Sequence, residues 1–372
     1  MKVYHLVISI VLIILLNGCQ SVSMEERAYK SAVQLINTNN YPQAIGVLSD
    51  LGNYKKSKQL VADIRYLING SFIGAGYAQI AAIKSDGTLV HRGGYEDSLS
   101  TNNWSNIKAI STDGEYIEGL VEGGKLVSTY PFTAPDLQAS TLPSSWQMAS
   151  VIEQMPQLEH VSSFQSDYPR NVLAILDNGK VQVINPSLNE EDIAAIHTWN
   201  NIVQAETNGT LVIGLKADGS VVSVGERYER YEVINWKDVV AISISNQLIG
   251  LKEDGTVVTV GDNRFGEGNV EDWNQIIAVS TSGHHTIGLK SDGTVIAAGD
   301  NSYGQGNIEH WKDIVAIDTS VYYSLGLRSD GTLVLAGSNS NLGADAIDVT
   351  NISDVLVPTI DAEQNTVYAE SY

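Results

Sequence analysis

Short apolar runs rich in Val, Ile, Leu and Thr, broken by Asp-Gly or Asn-Gly pairs, recur along most of this chain without a helical period between them. The clearest copy of the recurring phrase is GLKSDGTVIAAG, Gly288 to Gly299. Close copies begin at Ala82, Gly214, Gly250 and Gly326, and two decayed ones at Gly119 and Ala174. All seven keep the turn glycine, at Gly87, Gly124, Gly179, Gly219, Gly255, Gly293 and Gly331, with spacings of 37, 55, 40, 36, 38 and 38 residues. Asp-Gly between β-branched runs predicts a β-hairpin with a tight two-residue turn, both of whose central residues need positive φ. A tryptophan stands 15 residues before four of the phrases (Trp104, Trp199, Trp273, Trp311), and Trp236 stands 14 before a fifth. A further β-run follows it, as in DIVAI, Asp313 to Ile317.

Each unit thus offers at least three short strands, and no single unit can bury its tryptophan and both apolar strand faces. Radial stacking buries them against the neighbouring units. The expected fold is mainly β, a seven-bladed β-propeller with a small N-terminal α-helical segment. A parallel β-helix has shorter coils and no need of a hairpin in each. After the seventh phrase the unit restarts at Asn351 to Thr359. That half-unit either completes the first blade or adds a partial eighth; seven blades is the expectation.

The unit WNQIIAVSTSGHHTIGLKSDGTVIAAGDNSYGQ, Trp273 to Gln305, resembles the regulator of chromosome condensation repeat. The resemblance runs from about Leu67 to Ser340 and is weak in the second and third units. It implies a seven-bladed propeller. It does not imply one activity, because the family includes a nuclear exchange factor and a secreted β-lactamase inhibitor. Exchange activity is not expected here, since the N-terminus reads as an export signal.

That terminus has Lys2, then an apolar core of 11 residues, Leu6 to Leu16, too short to span a bilayer comfortably. Leu16-Asn17-Gly18-Cys19 follows and resembles the bacterial lipoprotein processing box; Cys19 is the sole cysteine. The expectation is a signal peptide over 1–18, with Cys19 carrying fatty acyl (palmitate-type) chains that hold the protein to a cell membrane or outer membrane, outside the cytoplasm. A plain signal peptide is the alternative. Residues 19–66 read as the anchored N-terminus and a helical segment, and 67–372 as the propeller. In the helical part Ala28, Ala32, Leu35 and Ile36 form one apolar stripe, and Ala44, Ile45 and Leu48 another. Asn39-Asn40-Tyr41 resembles a tetratricopeptide joint, and Tyr54 to Ser57 opens a third helix. A spacer or cap for the propeller and a docking site for a partner peptide are both compatible with that segment.

With 43 acidic and 22 basic residues the formal charge is −21, which argues against a nucleic-acid partner. No catalytic constellation stands out, and no cofactor or metal is expected. In the pair His284-His285, His285 falls where the repeat itself has histidine and reads as structural; His91, His160, His197 and His310 lack ligand spacing. The loops Gly261–Asn269 and Gly299–Asn307 superficially resemble calcium loops, but lack the spaced carboxylates of one. Repeated Ser-Asp-Gly-Thr resembles a fragment of the sialidase aspartate box without its tryptophan.

Two features read as surface for a partner. Loops after successive phrases carry large residues, namely Arg227, Tyr228 and Tyr231, then Arg264 and Phe265, then Tyr303, then Leu342. Equivalent propeller loops converge on one face, where aromatic residues and arginines make interface anchors. Packing of Phe265 and Tyr303 between blades is the competing reading. The long interval, between Tyr130 and Val161, adds an insertion bearing Trp146, which reads equally as a partner-binding loop and as a lid for one propeller face. The sequence therefore predicts a non-enzymatic, membrane-anchored scaffold for a protein or cell-envelope partner. A propeller lyase or hydrolase and a passive adhesive lipoprotein remain as alternatives.

Overall fold

The computed structural model describes residues 23–68, 72–77, 79–93, 101, 104–113, 116–129, 161–167, 171–184, 188–225, 233–338, 347–357, 359–361 and 366–368. Among them, three strands per repeat pair with their sequence neighbours into seven antiparallel sheets. These are blade 1 (Ile73–Gly93), blade 2 (Ile107–Ser128), blade 3 (Val161–Ile184), blade 4 (Ile202–Gly225), blade 5 (Val239–Gly261), blade 6 (Ile276–Gly299) and blade 7 (Ile314–Gly337). The first strand of each blade is the inner one. Inner strands adjoin one another around the ring, blade 7 against blade 1 included.

The hairpin turn differs from the two-residue form expected. Lys290 N donates to Thr294 O at 2.8 Å and Gly293 N to Lys290 O at 3.0 Å, so three residues form the loop. Only the glycine is left-handed, at φ +79°; no aspartate of these turns has positive φ. The aspartate has another use. Asp292 Oδ1 accepts from Thr294 N at 3.0 Å and from its Oγ1 at 2.6 Å. Asp86, Asp218, Asp254 and Asp330 repeat the arrangement. A carboxylate capping the chain two residues ahead favours a three-residue loop ending in glycine.

The turns also meet the next blade. Gly293 O accepts from Ile314 N at 3.1 Å, and the same bond recurs from Gly87 to Ile107, Gly179 to Ile202, Gly219 to Val239 and Gly255 to Ile276. The residue before each of those inner strands is left-handed: Asn106, Asn201, Asp238, Gln275 and Asp313, at φ 54° to 60°.

Asp354, at φ 61°, is the sixth of this set, which identifies the terminal half-unit. Val355 N donates to Gly331 O of blade 7 at 3.2 Å, and Leu356 N to Ile83 O of blade 1 at 2.7 Å. Ile73–Ala75 continue the same line along Ala82 to Ile80. The inner strand of blade 1 is therefore composite, begun by the end of the chain and finished by residues near its start. The half-unit closes a seven-bladed ring. A two-stranded hairpin, Thr359–Asp361 and Thr366–Tyr368, comes after it.

Helices α1 (Met24–Asn37), α2 (Tyr41–Leu51) and α3 (Ser57–Ile68) bury the expected stripes through Ala32, Ile36, Ala44, Ile45 and Leu48. They lie on the face that carries the Asp-Gly turns, here the turn face. Gln43 Nε2 donates to Asp292 O at 3.1 Å, Arg65 Nη2 to Glu253 O at 3.2 Å, and α3 packs on the inner strands of blades 5 to 7. One apolar core joins the helices to the ring. A fourth helix, α4 (Glu190–Thr198), was not expected. Its nine residues are too few for a clear period. Its start is nonetheless written in the sequence: Asn189 Oδ1 accepts from Asp192 N at 2.8 Å, and Glu190, Glu191 and Asp192 fill the first turn.

Candidate partner-binding face

Opposite the turn face lie, among the described residues, inner-to-middle strand turns and the loops that leave the outer strands of blades 5 and 6. Two of those loops are built alike. In Gly261–Asn269, Asn263 Oδ1 accepts from Gly268 N at 2.8 Å while its Nδ2 donates to Asn269 Oδ1 at 3.1 Å. In Gly299–Asn307, Asn301 makes the same two bonds with Gly306 and Asn307, at 2.7 and 3.0 Å. A buried side chain then fixes the aromatic residue: Glu267 Oε2 accepts from Phe265 N at 2.8 Å, and Gln305 Oε1 from Tyr303 N at 2.9 Å. The asparagines that suggested a calcium loop are thus spent within their own turns. Among the described residues no three metal-ligating side chains converge.

So held, each aromatic ring leans on the next blade's turn. Phe265 is 47% exposed and lies 4.1 Å from His284, centroid to centroid. Tyr303 is half-buried, edge-on to Tyr322 at 4.8 Å, and Tyr322 meets Tyr77 of blade 1 at 5.4 Å. The two expected anchors therefore do stand on one face, and both also touch a neighbouring turn. Arg264 is exposed, but its guanidinium is taken by Asp262, with Nε at 2.9 and 2.7 Å from the two carboxylate oxygens. Cys19, Arg227, Tyr228, Tyr231, Leu342, Trp146 and its insertion lie outside the described residues.

His285 has a structural place. Its Nε2 lies 3.0 Å from Ser324 Oγ of blade 7, and burial pushes its pKa down to about 4. Gln247 and Tyr323 hold the same position in blades 5 and 7 and also bridge to the next blade, Gln247 to Thr286 at 2.5 Å and Tyr323 to the carbonyls of Gly76 and Gln79.

The sequence reading missed four residues here. Tyr322 and Tyr77 occupy inner-to-middle turns, Tyr322 matching His284. Glu206 and Asp318 occupy the inner-strand position filled by Ser243 and Ser280 in blades 5 and 6, as the strand registers show. This position stitches blades together, since the inner strand's axial edge has no strand to pair with. Ser243 Oγ accepts from Thr281 N at 3.1 Å, Gln165 Oε1 from Thr207 N at 3.0 Å, and Asp318 Oδ2 from Ala75 N at 2.8 Å. Asp318 Oδ1 accepts further from Thr319 N and Ser280 Oγ, at 2.9 and 3.1 Å, and Glu206 Oε1 from Gln204 Nε2 at 2.9 Å. Burial raises Asp318 to about 6, and burial with the nearby Asp318 charge raises Glu206 to about 7. Aligning the repeats would have singled both out, as acids where serine recurs.

The architecture defines a β-propeller of seven three-stranded blades. Within it, residues 276–305, blade 6 and its following loop, match the regulator of chromosome condensation (RCC1) repeat. The ectodomain of the Physcomitrella patens receptor kinase CR4 shares the fold, with a TM-score of 0.51, 13% identity, and coverage of 72% of this chain and 73% of that one. Saccharomyces cerevisiae Prp20p, whose binding to Gsp1p and histones has been studied, aligns at 14% identity over 74% of this chain and 84% of its own, with a TM-score of 0.47. No curated protein is a sequence match to the chain.

Proposed function

We propose that this chain is a non-enzymatic scaffold, lipid-anchored through Cys19, that holds a protein partner on the face bearing Phe265 and Tyr303. One observation carries the reading. Two loops of the same construction use buried side chains to hold an aromatic ring at the surface, on the face the helices leave free. Rigid aromatic residues lose little entropy on contact and dominate many interfaces. The helical segment, which Cys19 precedes in the sequence, occupies the turn face and leaves the opposite face free for a partner. Among the described residues no helix is long and apolar enough to cross a membrane.

Crosslinking in intact cells, followed by identification of the captured protein, tests the reading. A Phe265→Ala/Tyr303→Ala variant that keeps the wild-type melting temperature should lose the captured partner. Undiminished capture by that folded variant would remove this face from the proposal.

A further inference from the structure

We infer that the tyrosine cluster on this face seats a lysine or arginine side chain of a protein partner, with Asp318 and Glu206 supplying the opposite charge. The inference rests on the partner-binding reading above and names the chemistry of the partner.

Tyr303, Tyr322 and Tyr77 come from three separate pieces of the ring: the loop after blade 6 and the turns of blades 7 and 1. Tyr322 takes one neighbour at 81° and the other at 68°, and its hydroxyl lies 3.2 Å from that of Tyr77. Tyr77 is 38% exposed. The faces of such rings carry partial negative charge and attract an ammonium or guanidinium group. Beneath the cluster is a carboxylate. Asp318 is the penultimate residue of its inner strand, just before the turn that carries Tyr322. Its Oδ2 accepts from Ala75 N, two residues before Tyr77. Both tyrosine-bearing turns are therefore tied to the same acid.

Glu206 holds the equivalent inner-strand position in blade 4, close enough for the Asp318 charge to act on it. Among the described residues neither acid has a cationic partner, and Arg264, in the loop after blade 5, is committed to Asp262. The chain carries 43 acidic residues against 22 basic ones, so its long-range field draws in a basic segment and opposes an acidic one. A neutral segment would satisfy the rings and leave Asp318, and Glu206 once it is deprotonated, without a counter-charge. A basic side chain satisfies both.

The test uses the full chain and two short labelled peptides, one rich in lysine and arginine, the other with those residues replaced by glutamine. Fluorescence anisotropy should show binding of the basic peptide only, weakened by salt. A Tyr77→Ala/Tyr303→Ala variant should bind it about tenfold more weakly. Glu206→Gln touches no ring and keeps an acceptor for Gln204; it should also weaken binding, and it decides the matter if the tyrosine variant proves unfolded by circular dichroism. Equal binding of the two peptides, or unchanged affinity in both variants, overturns the inference. If the basic peptide fails while Phe265→Ala/Tyr303→Ala still releases the crosslinked partner, the charge argument falls and the docking face stands. If capture is also unchanged, both fall.

Discussion

The indole of Trp311 lies flat enough against Gly326 that a Cβ on that glycine would stand 2.9 Å from Trp311 Cζ3. The same contact joins Trp104 to Gly119, Trp199 to Gly214, Trp236 to Gly250 and Trp273 to Gly288. The first residue of the phrase is glycine because a ring needs its space. Blade 1 shows the converse: its phrase begins with Ala82, and the position equivalent to Trp311 in the closing half-unit is Ile352. A smaller partner admits a methyl group.

Gly326→Ala should therefore destabilise the protein by roughly 1–3 kcal/mol, the usual range for overpacking. Trp311→Ile alone should also destabilise, by leaving space above Gly326. The double variant recreates the Ala82–Ile352 pairing and should be more stable than the sum of the two losses predicts. Urea denaturation of all four proteins forms the cycle that measures this coupling; strict additivity would show that the contact does not constrain the glycine.

Glu206 and Asp318 predict an unusual pH response. Both are raised, so the folded state binds their protons more tightly than the unfolded state does. Stability from these two groups is full at low pH and falls as pH rises through about 6 and 7. Glu206→Gln should consequently gain on the order of 1–2 kcal/mol over the wild type above neutrality and nothing in mild acid. Asp318→Asn is different, because its amide would set a donor against Ala75 N–H if the other oxygen keeps its bonds. That variant should lose stability at every pH. Paired melting curves in acidic and alkaline buffer check both.

The turn aspartates respond in the opposite sense. Hydrogen bonds from Thr332 hold Asp330 below the usual carboxylate range, so its contribution is present above the unfolded pKa and lost as pH falls through the folded one. Asp330→Ala should cost about 1 kcal/mol near neutrality, a typical value for a lost turn or cap. The difference from wild type should shrink in acid.

Cys19→Ser should move the protein from the membrane fraction to the soluble fraction and abolish the mass added by acylation. Fractionation with intact-mass measurement reads both, and an unchanged membrane fraction would place the anchor elsewhere.

Much of the ring was legible in the sequence because its signals are local. The turn glycine, the tryptophan and the β-runs between them locate five of the inner strands, and the turn glycine every hairpin. The two-residue turn expected differs from the three-residue one found because Asp-Gly alone does not distinguish the two loop lengths. Helix α4 was hidden by its brevity. The face was half legible. Phe265 and Tyr303 recur at one place after the phrase, whereas Tyr77, Tyr322 and Asp318 come together only when blades from both ends of the chain meet.

The composite strand has a consequence for how this molecule is made. Blade 1 holds the earliest propeller residues to be synthesised, yet its inner strand begins with Val355 and Leu356. Six blades can assemble in order as the chain emerges, but the first must wait, with part of its edge unpaired, for the last segment to arrive. Until then an incomplete strand edge is available to another chain. A stop codon or a protease cut only slightly upstream of residue 355 would spare nearly every blade residue and still leave the ring without its clasp.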